Sequence, residues 1–438
     1  MMYMLYLLIN NNNRNNRDCI KTMENVLTII LAGGTGKRLQ PLTRVRSKPA
    51  VPFAGKYRLI DFPLSNCINS GLRQIFVLVQ YRSWSLQRHI QEGWGISSSR
   101  LGEYIYCVPA QQKIGDEWYQ GTADAIRQNL DLLHNKNYTD VLILSGDHVY
   151  KMNYKQIVEY HRSQKAGLTI SAIHVPKEQA ADKLGVFEVD QNFKAIGFTE
   201  KPEQPKAIPG DDENALASMG IYVFSVNALM KALNEEGDDF GKDIIPALVR
   251  KRHDIFLYDF TEKNRIEDIV VQVADGRRNK ILVEKTRDSS YWRDVGSIDS
   301  FYEANMDIIG IDPLFNLYTD KWLFRTYERS LPPSKCIIGG RTLESMVSDG
   351  CIISGGLVQR SILSPGVIVE KDALVEDSVV FDDVIIEPGS KIMRAIVDKE
   401  AVIRAGVTVG YDAQADEAKG CTVSEKGVTV VPRGLDIA

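Results

Sequence analysis

Three short stretches of this sequence carry residue types suited to phosphate chemistry. The glycine-rich LAGGTGKRL (31–39) ends the apolar run VLTIIL (26–31). Glycines at 33, 34 and 36 let backbone N–H groups approach phosphate oxygens, and Lys37 and Arg38 add positive charge. The loop is neither a Walker A sequence nor GxGxxG, so alone it reads as a phosphate cradle or as a tight turn. In LSGDHVY (144–150), Asp147 follows a second apolar run. A carboxylate at a strand's carboxyl end suits Mg²⁺, a hard cation that prefers oxygen ligands. YWRDVG (291–296) adds a second carboxylate, Asp294. Either aspartate by itself is equally a turn or capping residue.

The elements that must position these groups follow from the pattern around them. VLTIIL (26–31), IFVLVQ (75–80), VLILS (141–145) and LTISAIHV (168–175) are continuously apolar, and segments with helical spacing such as 123–133 and 154–164 lie between them. Continuously apolar strands imply burial on both faces, so we expect an α/β domain with a mainly parallel, Rossmann-like sheet between helices. Ligands of such sheets sit at the strands' carboxyl ends, where the glycine loop and Asp147 fall.

The pattern changes after residue 312, and SLPPSK (330–335) makes a stiff break. Beyond it, β-branched triplets start at 361, 367, 373, 378, 384, 390, 395, 401 and 407. Steps of 6, 6 and 5 recur every 17 residues, which stacks Ser361-Ile362-Leu363 on Ser378-Val379-Val380 and on Ala395-Ile396-Val397. A sandwich enforces no such step, so the repeat predicts a three-sided parallel β-helix. The expected organisation is a leader over 1–22, a catalytic domain over 23–312, a linker over 313–335 and a β-helix domain over 336–438.

Composition narrows the function classes. With 438 residues, 44% hydrophobic and 25% charged, the chain has the profile of a globular protein of two or three domains. Its net charge of −4 leaves no polyanion footprint, so nucleic acid is not an expected partner. Six cysteines without CxxC pairing suit a reducing compartment, and the apolar stretch 1–9 is too short to span a bilayer, so we expect a cytoplasmic protein without membrane contact. The asparagine-rich tract 10–17 marks residues 1–22 as disordered, either a flexible tail or the product of an upstream start codon.

The order LAGGTGKRLQPLT, SKPAVPF (47–53) and RLIDFPLSNC (58–67) resembles the sugar-1-phosphate nucleotidylyltransferases, and in particular the glucose-1-phosphate adenylyltransferases of bacterial glycogen synthesis. The resemblance runs from about residue 26 to the C-terminus. It implies that the β-helix is left-handed and serves regulation and oligomerisation. It also implies transfer of the adenylyl group of ATP to glucose 1-phosphate with Mg²⁺, giving ADP-glucose and pyrophosphate. Placing two anions in line demands metal and cationic side chains more than an acid–base pair.

Roles carry over by position. Arg38, with Leu31, Ala32, Gly33, Gly34 and Gly36, matches the nucleotide loop; Lys48 matches a lysine near the transferring phosphate; and Asp147 pairs with Asp294 around the metal. Glu200 and Lys201 of FTEKP (198–202), with Tyr119, Gly185 and Ser218, match the glucose 1-phosphate contacts. Gln80, Gln112, Gly121 and Thr122 match the base pocket, where a neutral amide can read adenine. Gln80 and Trp118 match positions of regulatory communication, while Arg46 and Arg58 match a possible effector site for small-molecule allosteric effectors. The family is tetrameric, so a homotetramer is expected.

Two departures concern regulation: Val45 stands where enterobacterial relatives carry an activator-contacting lysine, and DEAKGCT (416–422) covers their C-terminal arginine cluster. A different effector is therefore expected. The nearest rivals are nucleotidylyltransferases using UTP, dTTP or GTP, and a non-catalytic regulatory or assembly subunit, against which the full set of expected ligands argues. A β-helix acyltransferase using a histidine base is disfavoured, because no histidine follows His253.

Overall fold

A computed structural model describes residues 23–111, 117–133, 138–274 and 277–438; the leader 1–22 and Gln112 lie outside them. Nine strands make the main sheet: β1 (Val26–Ala32), β2 (Gln74–Val79), β3 (Tyr104–Pro109), β4 (Asp140–Ser145), β5 (Leu168–Pro176), β6 (Val186–Val189), β7 (Ala195–Thr199), β8 (Asn214–Ser225) and β9 (Ile255–Asp259). Their order is β7-β6-β8-β4-β1-β2-β3, with β5 also pairing β8 and β9. The half of the sheet made by β4, β1, β2 and β3 is parallel throughout, β1 lying between β4 and β2. Both faces of β1 are buried: Val26 and Ile30 enter one apolar core, Leu27 and Ile29 the other. This is why the strand sequence shows no alternation.

The other half of the sheet contains a feature the apolar runs did not reveal. β8 runs antiparallel to β4, β5 and β6, and its register with β5 breaks between Ser218 and Tyr222. Gly220, at φ +67°, sits in that break. A left-handed residue inside a strand interrupts the ladder, and here it lies beside the cleft.

The C-terminal domain is the three-sided parallel β-helix that the 17-residue step demands. Ile362 pairs with Val379 and Val379 with Ile396. The serines of the repeat complete the ladder: Ser378 N–H donates to Ser361 Oγ, and Ala395 N–H to Ser378 Oγ. The next partner of Ile396 is Val430, two repeat lengths on. The interval includes a helix, Ala413–Ala418, and a strand, Thr422–Val423, that folds back antiparallel on Thr429–Val431.

Residues from the expected linker lie against the catalytic domain. Trp322 Nε1 donates to Asn66 Oδ1, Arg325 N–H to Ser65 Oγ, and Thr326 Oγ1 to the fully buried Asp61.

Candidate active site

β1 delivers its chain directly into a cleft of about 680 Å³. Leu31, Ala32, Gly33, Gly34, Gly36 and Arg38 all line it. Gly36 adopts φ +61°, and a Cβ there would lie 3.0 Å from Thr43 Cγ2 and 3.1 Å from Lys48 Cβ. Only glycine meets both demands without strain. Thr43 Oγ1 donates to Gly36 O at 2.9 Å, which fixes the turn against the segment bearing Lys48.

Lys48 begins a short buried turn, Lys48–Ala50, that holds its ammonium between two carboxylates. Nζ lies 2.7 Å from Asp147 Oδ2 and 3.2 Å from Asp294 Oδ1. Asp147 follows β4, while Asp294 ends the strand Trp292–Asp294, which pairs antiparallel with His148–Tyr150. In that ribbon Asp294 stands opposite His148, so residues 147 in sequence apart approach one cation. Burial disfavours the Lys48 charge, but Asp147 and Asp294 outweigh it and raise its pKa. Burial likewise pushes the Asp147 carboxyl up; Lys48, His148 and the Ser145 hydroxyl together hold it well below the usual carboxylate range. Both aspartates are thus presented as a pair around one centre of positive charge.

Among the described residues no group of three or more His, Cys, Asp or Glu side chains could hold a metal ion. Two carboxylates with no third protein ligand among the described residues would fit Mg²⁺, which is commonly held by one or two carboxylates together with substrate phosphates.

The residues expected to contact glucose 1-phosphate gather beside this cleft. Gly185 O accepts from Ser218 N–H, and Lys201 N–H donates to Leu184 O. A Cβ at Gly185 would lie 2.5 Å from Phe198 Cζ and 2.7 Å from Glu200 Oε2; one at Gly241, which lines the cleft, would lie 3.2 Å from that same oxygen. Gly185, Glu200, Lys201 and Ser218 therefore sit together beside the cleft. Burial raises the Glu200 pKa against the pull of Lys201. Tyr222 and Asp239, which are not among the expected site residues, line the cleft here as well. The FGKD segment after Asp239 was the available signal, because Asp239 caps it by accepting from Gly241 and Lys242 N–H.

Gln80, Gly121 and Thr122, expected at the base, and Tyr119, expected at the sugar, also line the cleft. The Gln80 amide does not stand free to read a base: Oε1 accepts from Tyr119 N–H at 2.8 Å and Nε2 donates to Tyr119 O. Its side chain instead clamps the end of β2 to the segment carrying Trp118, which is 54% exposed. Thr122 Oγ1 donates to Asp239 Oδ2 and accepts from Phe240 N–H. The segment of Gly121 and Thr122 is thereby tied to the one that Asp239 caps.

Arg46 and Arg58 lie elsewhere, in a second cavity of about 270 Å³ between the domains. Arg46 is 2% exposed, and its guanidinium binds Asp398 of the β-helix at 2.9 Å. Arg58 donates to Ser85 O and Oγ. Lys399 and Arg433 enter this cavity from the β-helix, outside the 416–422 stretch that covers the relatives' arginine cluster.

Residues 27–310 match the nucleotidyl transferase family, and residues 332–431 match the GlmU-like C-terminal hexapeptide family, a left-handed β-helix repeat. Fold and cleft thus define a nucleotidyl transferase carrying a hexapeptide domain. The glucose-1-phosphate adenylyltransferase of Shewanella baltica (strain OS185) is 46% identical over 418 residues, 93% of this chain and 94% of its own; that of Shewanella oneidensis is 45% identical over the same shares. The chain belongs to the glucose-1-phosphate adenylyltransferase family.

Proposed function

We propose that the cleft transfers the adenylyl group of ATP to α-D-glucose 1-phosphate, giving ADP-glucose and pyrophosphate for α-glucan synthesis. The observation that carries this reading is the Lys48 ammonium held between Asp147 and Asp294 beside a glycine loop. The sugar phosphate oxygen attacks the α-phosphorus, a P–O bond forms, and the bond to pyrophosphate breaks. Gly33, Gly34 and Gly36 offer backbone N–H groups to the triphosphate, and Arg38 neutralises charge on the leaving side. Lys48 faces the transferring phosphate. Glu200 takes sugar hydroxyls, Lys201 faces the monoester phosphate, and Gly185, Ser218 and Tyr119 shape that end.

Asp147 and Asp294 would hold Mg²⁺, which when bound neutralises phosphate charge and draws the reacting groups into line. Gln80, Gly121 and Thr122 border the base, with Gln80 acting through the backbone it clamps; the expected role of Gln112 falls outside the described residues. Asp147→Ala should abolish turnover while the circular dichroism spectrum and thermal midpoint stay near those of the parent. Near-normal turnover would remove Asp147 from the mechanism.

The inter-domain cavity is our candidate for a small anionic effector, and Gln80 with Trp118 for the route by which it reaches the cleft. Support comes from cations of both domains lining it, Arg46, Arg58 and Arg329 from one side and Lys399 and Arg433 from the other; all but Arg58 are paired with carboxylates, for which an anionic effector would compete. Turnover with and without fructose 1,6-bisphosphate, fructose 6-phosphate, pyruvate, AMP and phosphate tests it, and Arg58→Ala should remove the response to whichever one acts. A homotetramer fits the open first coil of the β-helix, where Ile337, Ile338 and Leu343 are exposed at unpaired strand edges. The described cysteines Cys67, Cys107, Cys336, Cys351 and Cys421 are unpaired, which suits the cytoplasm.

A further inference from the structure

We infer that the β-helix positions the catalytic carboxylate Asp294, through a turn formed by the stretch that breaks its own 17-residue repeat. The inference rests on the role given to Asp294 above. Two residues beyond Asp294, Gly296 packs so closely that a Cβ there would lie 3.2 Å from both Asp294 carboxylate oxygens and 3.3 Å from an Arg38 guanidinium nitrogen. Ser297 then caps the helix Ile298–Met306, its Oγ accepting from Ser300 N–H. Any shift of that helix is thus passed through three residues to the carboxylate.

The helix is gripped from the far side by the extra stretch of the β-helix. Ser424 Oγ donates to Asp299, in the helix's first turn, and Lys426 Nζ pairs with Glu303 one turn on, at 2.7 Å. Between them, Tyr302 OH donates to Asp377 O at 2.6 Å, and the Arg394 guanidinium lies over the Tyr302 ring while its NH2 donates to Lys426 O. Residues at i, i+3 and i+4 share one helix face, so these contacts fix its rotation as well as its height. A regular 17-residue coil would contain no such turn. The extra residues therefore have a purpose in the catalytic domain as well as in closing the β-helix.

The packing behind the cleft extends the same relation to the other catalytic groups. One apolar cluster contains Leu39 beside Arg38, Val149 two residues after Asp147, Val51 three after Lys48, and Val295 beside Asp294. The β-helix supplies the opposite wall of that cluster with Ile362, Val379, Phe381, Ile396 and Val428. Phe301 meets Phe381 edge to face at 6.3 Å. Close-packed interiors transmit displacement rather than absorb it, so the β-helix is the backing against which all four catalytic positions are held. Ser424, Lys426 and Tyr302 are positioning residues in this scheme and touch no reacting atom.

The test uses the full-length protein and Mn²⁺ as a spectroscopic probe of the carboxylate pair. Ser424→Ala/Lys426→Ala and Tyr302→Phe should each lower kcat about 10-fold, with the KM for ATP within about 2-fold, because misplacement rather than lost substrate contact is the defect. Mn²⁺ affinity in the presence of ATP, read by electron paramagnetic resonance without turnover, should weaken about 3-fold or more by the same misplacement. Lys426→Arg should restore both. Arg404→Ala breaks β-helix ion pairs with Glu387 and Asp436 that do not touch the helix, and it should change neither value. Unchanged kcat and Mn²⁺ affinity in both clamp variants would overturn the inference, as would equal losses in Arg404→Ala. Asp294→Asn separates the two claims. If it leaves Mn²⁺ affinity intact, the role of Asp294 itself is wrong; if it abolishes that affinity while the clamp variants behave as the parent, only the positioning inference falls.

Discussion

Replacing Lys48 with methionine removes the charge at the centre of the cleft while keeping most of the side chain's volume. At 2.7 and 3.2 Å from the two carboxylates, the ammonium gains about 6 and about 5 kcal/mol of attraction at an effective dielectric of about 20, before desolvation is subtracted. Burial of Lys48 opposes much of that gain, and the carboxylate side chains, 24% and 29% exposed, keep access to water. The net cost to stability should therefore be about 1–2 kcal/mol, below the 3–5 of a fully buried broken pair. The cost to catalysis is larger, because the transferring phosphate loses a preorganised cation: about 3 kcal/mol, or roughly 10²-fold in kcat. Urea unfolding measures the first quantity and pyrophosphate release under saturating substrates the second. A kcat within 3-fold of the parent, or an activity loss explained by unfolding, would refute the reasoning.

Other substitutions probe separate parts of the molecule. Gly185→Ala puts a Cβ against Phe198 and Glu200, and it should raise the KM for glucose 1-phosphate about 10-fold while leaving that for ATP within about 2-fold, a split visible in initial-rate kinetics. Arg46→Ala leaves the 1%-exposed Asp398 carboxylate without its counter-charge, with only the Lys399 N–H still donating to it; it should cost about 3–5 kcal/mol and lower the calorimetric midpoint by several degrees. Burial lowers the pKa of His161 to about 4, so its neutral form favours the fold above about pH 6.5, and that stability is lost as pH falls toward 4. The loss is about 1.4 kcal/mol per pH unit, measurable as urea midpoints at pH 7 and pH 5, and His161→Asn should flatten it.

Much of this molecule can be read in its residues, and the limits of that reading have physical causes. Strand burial on both faces shows as unbroken apolar runs, and a coil of 17 residues must repeat its small and β-branched positions, so β1, β4 and the stack through Val379 are visible in sequence. The glycine loop is visible for the same reason that Gly36 is strained for any other residue. Pairings between distant residues are less visible. Nothing near Gln80 says that its amide will be consumed by the Tyr119 backbone, and nothing near Arg46 points to Asp398, 352 residues away. The antiparallel β8 was hidden because an apolar strand buried on both faces reads alike in either direction. Lys399 and Arg433 are not legible as neighbours because three-sided coiling brings them to the inter-domain cavity from different turns of the β-helix.

The most direct test of adenylyl transfer is a steady-state assay with glucose 1-phosphate and each of ATP, UTP, dTTP and GTP, following pyrophosphate release and the nucleotide sugar formed. ATP should give the highest kcat/KM, with ADP-glucose as the product and Mg²⁺ required. A higher kcat/KM with UTP, dTTP or GTP, or no nucleotide sugar from any of the four, would contradict it.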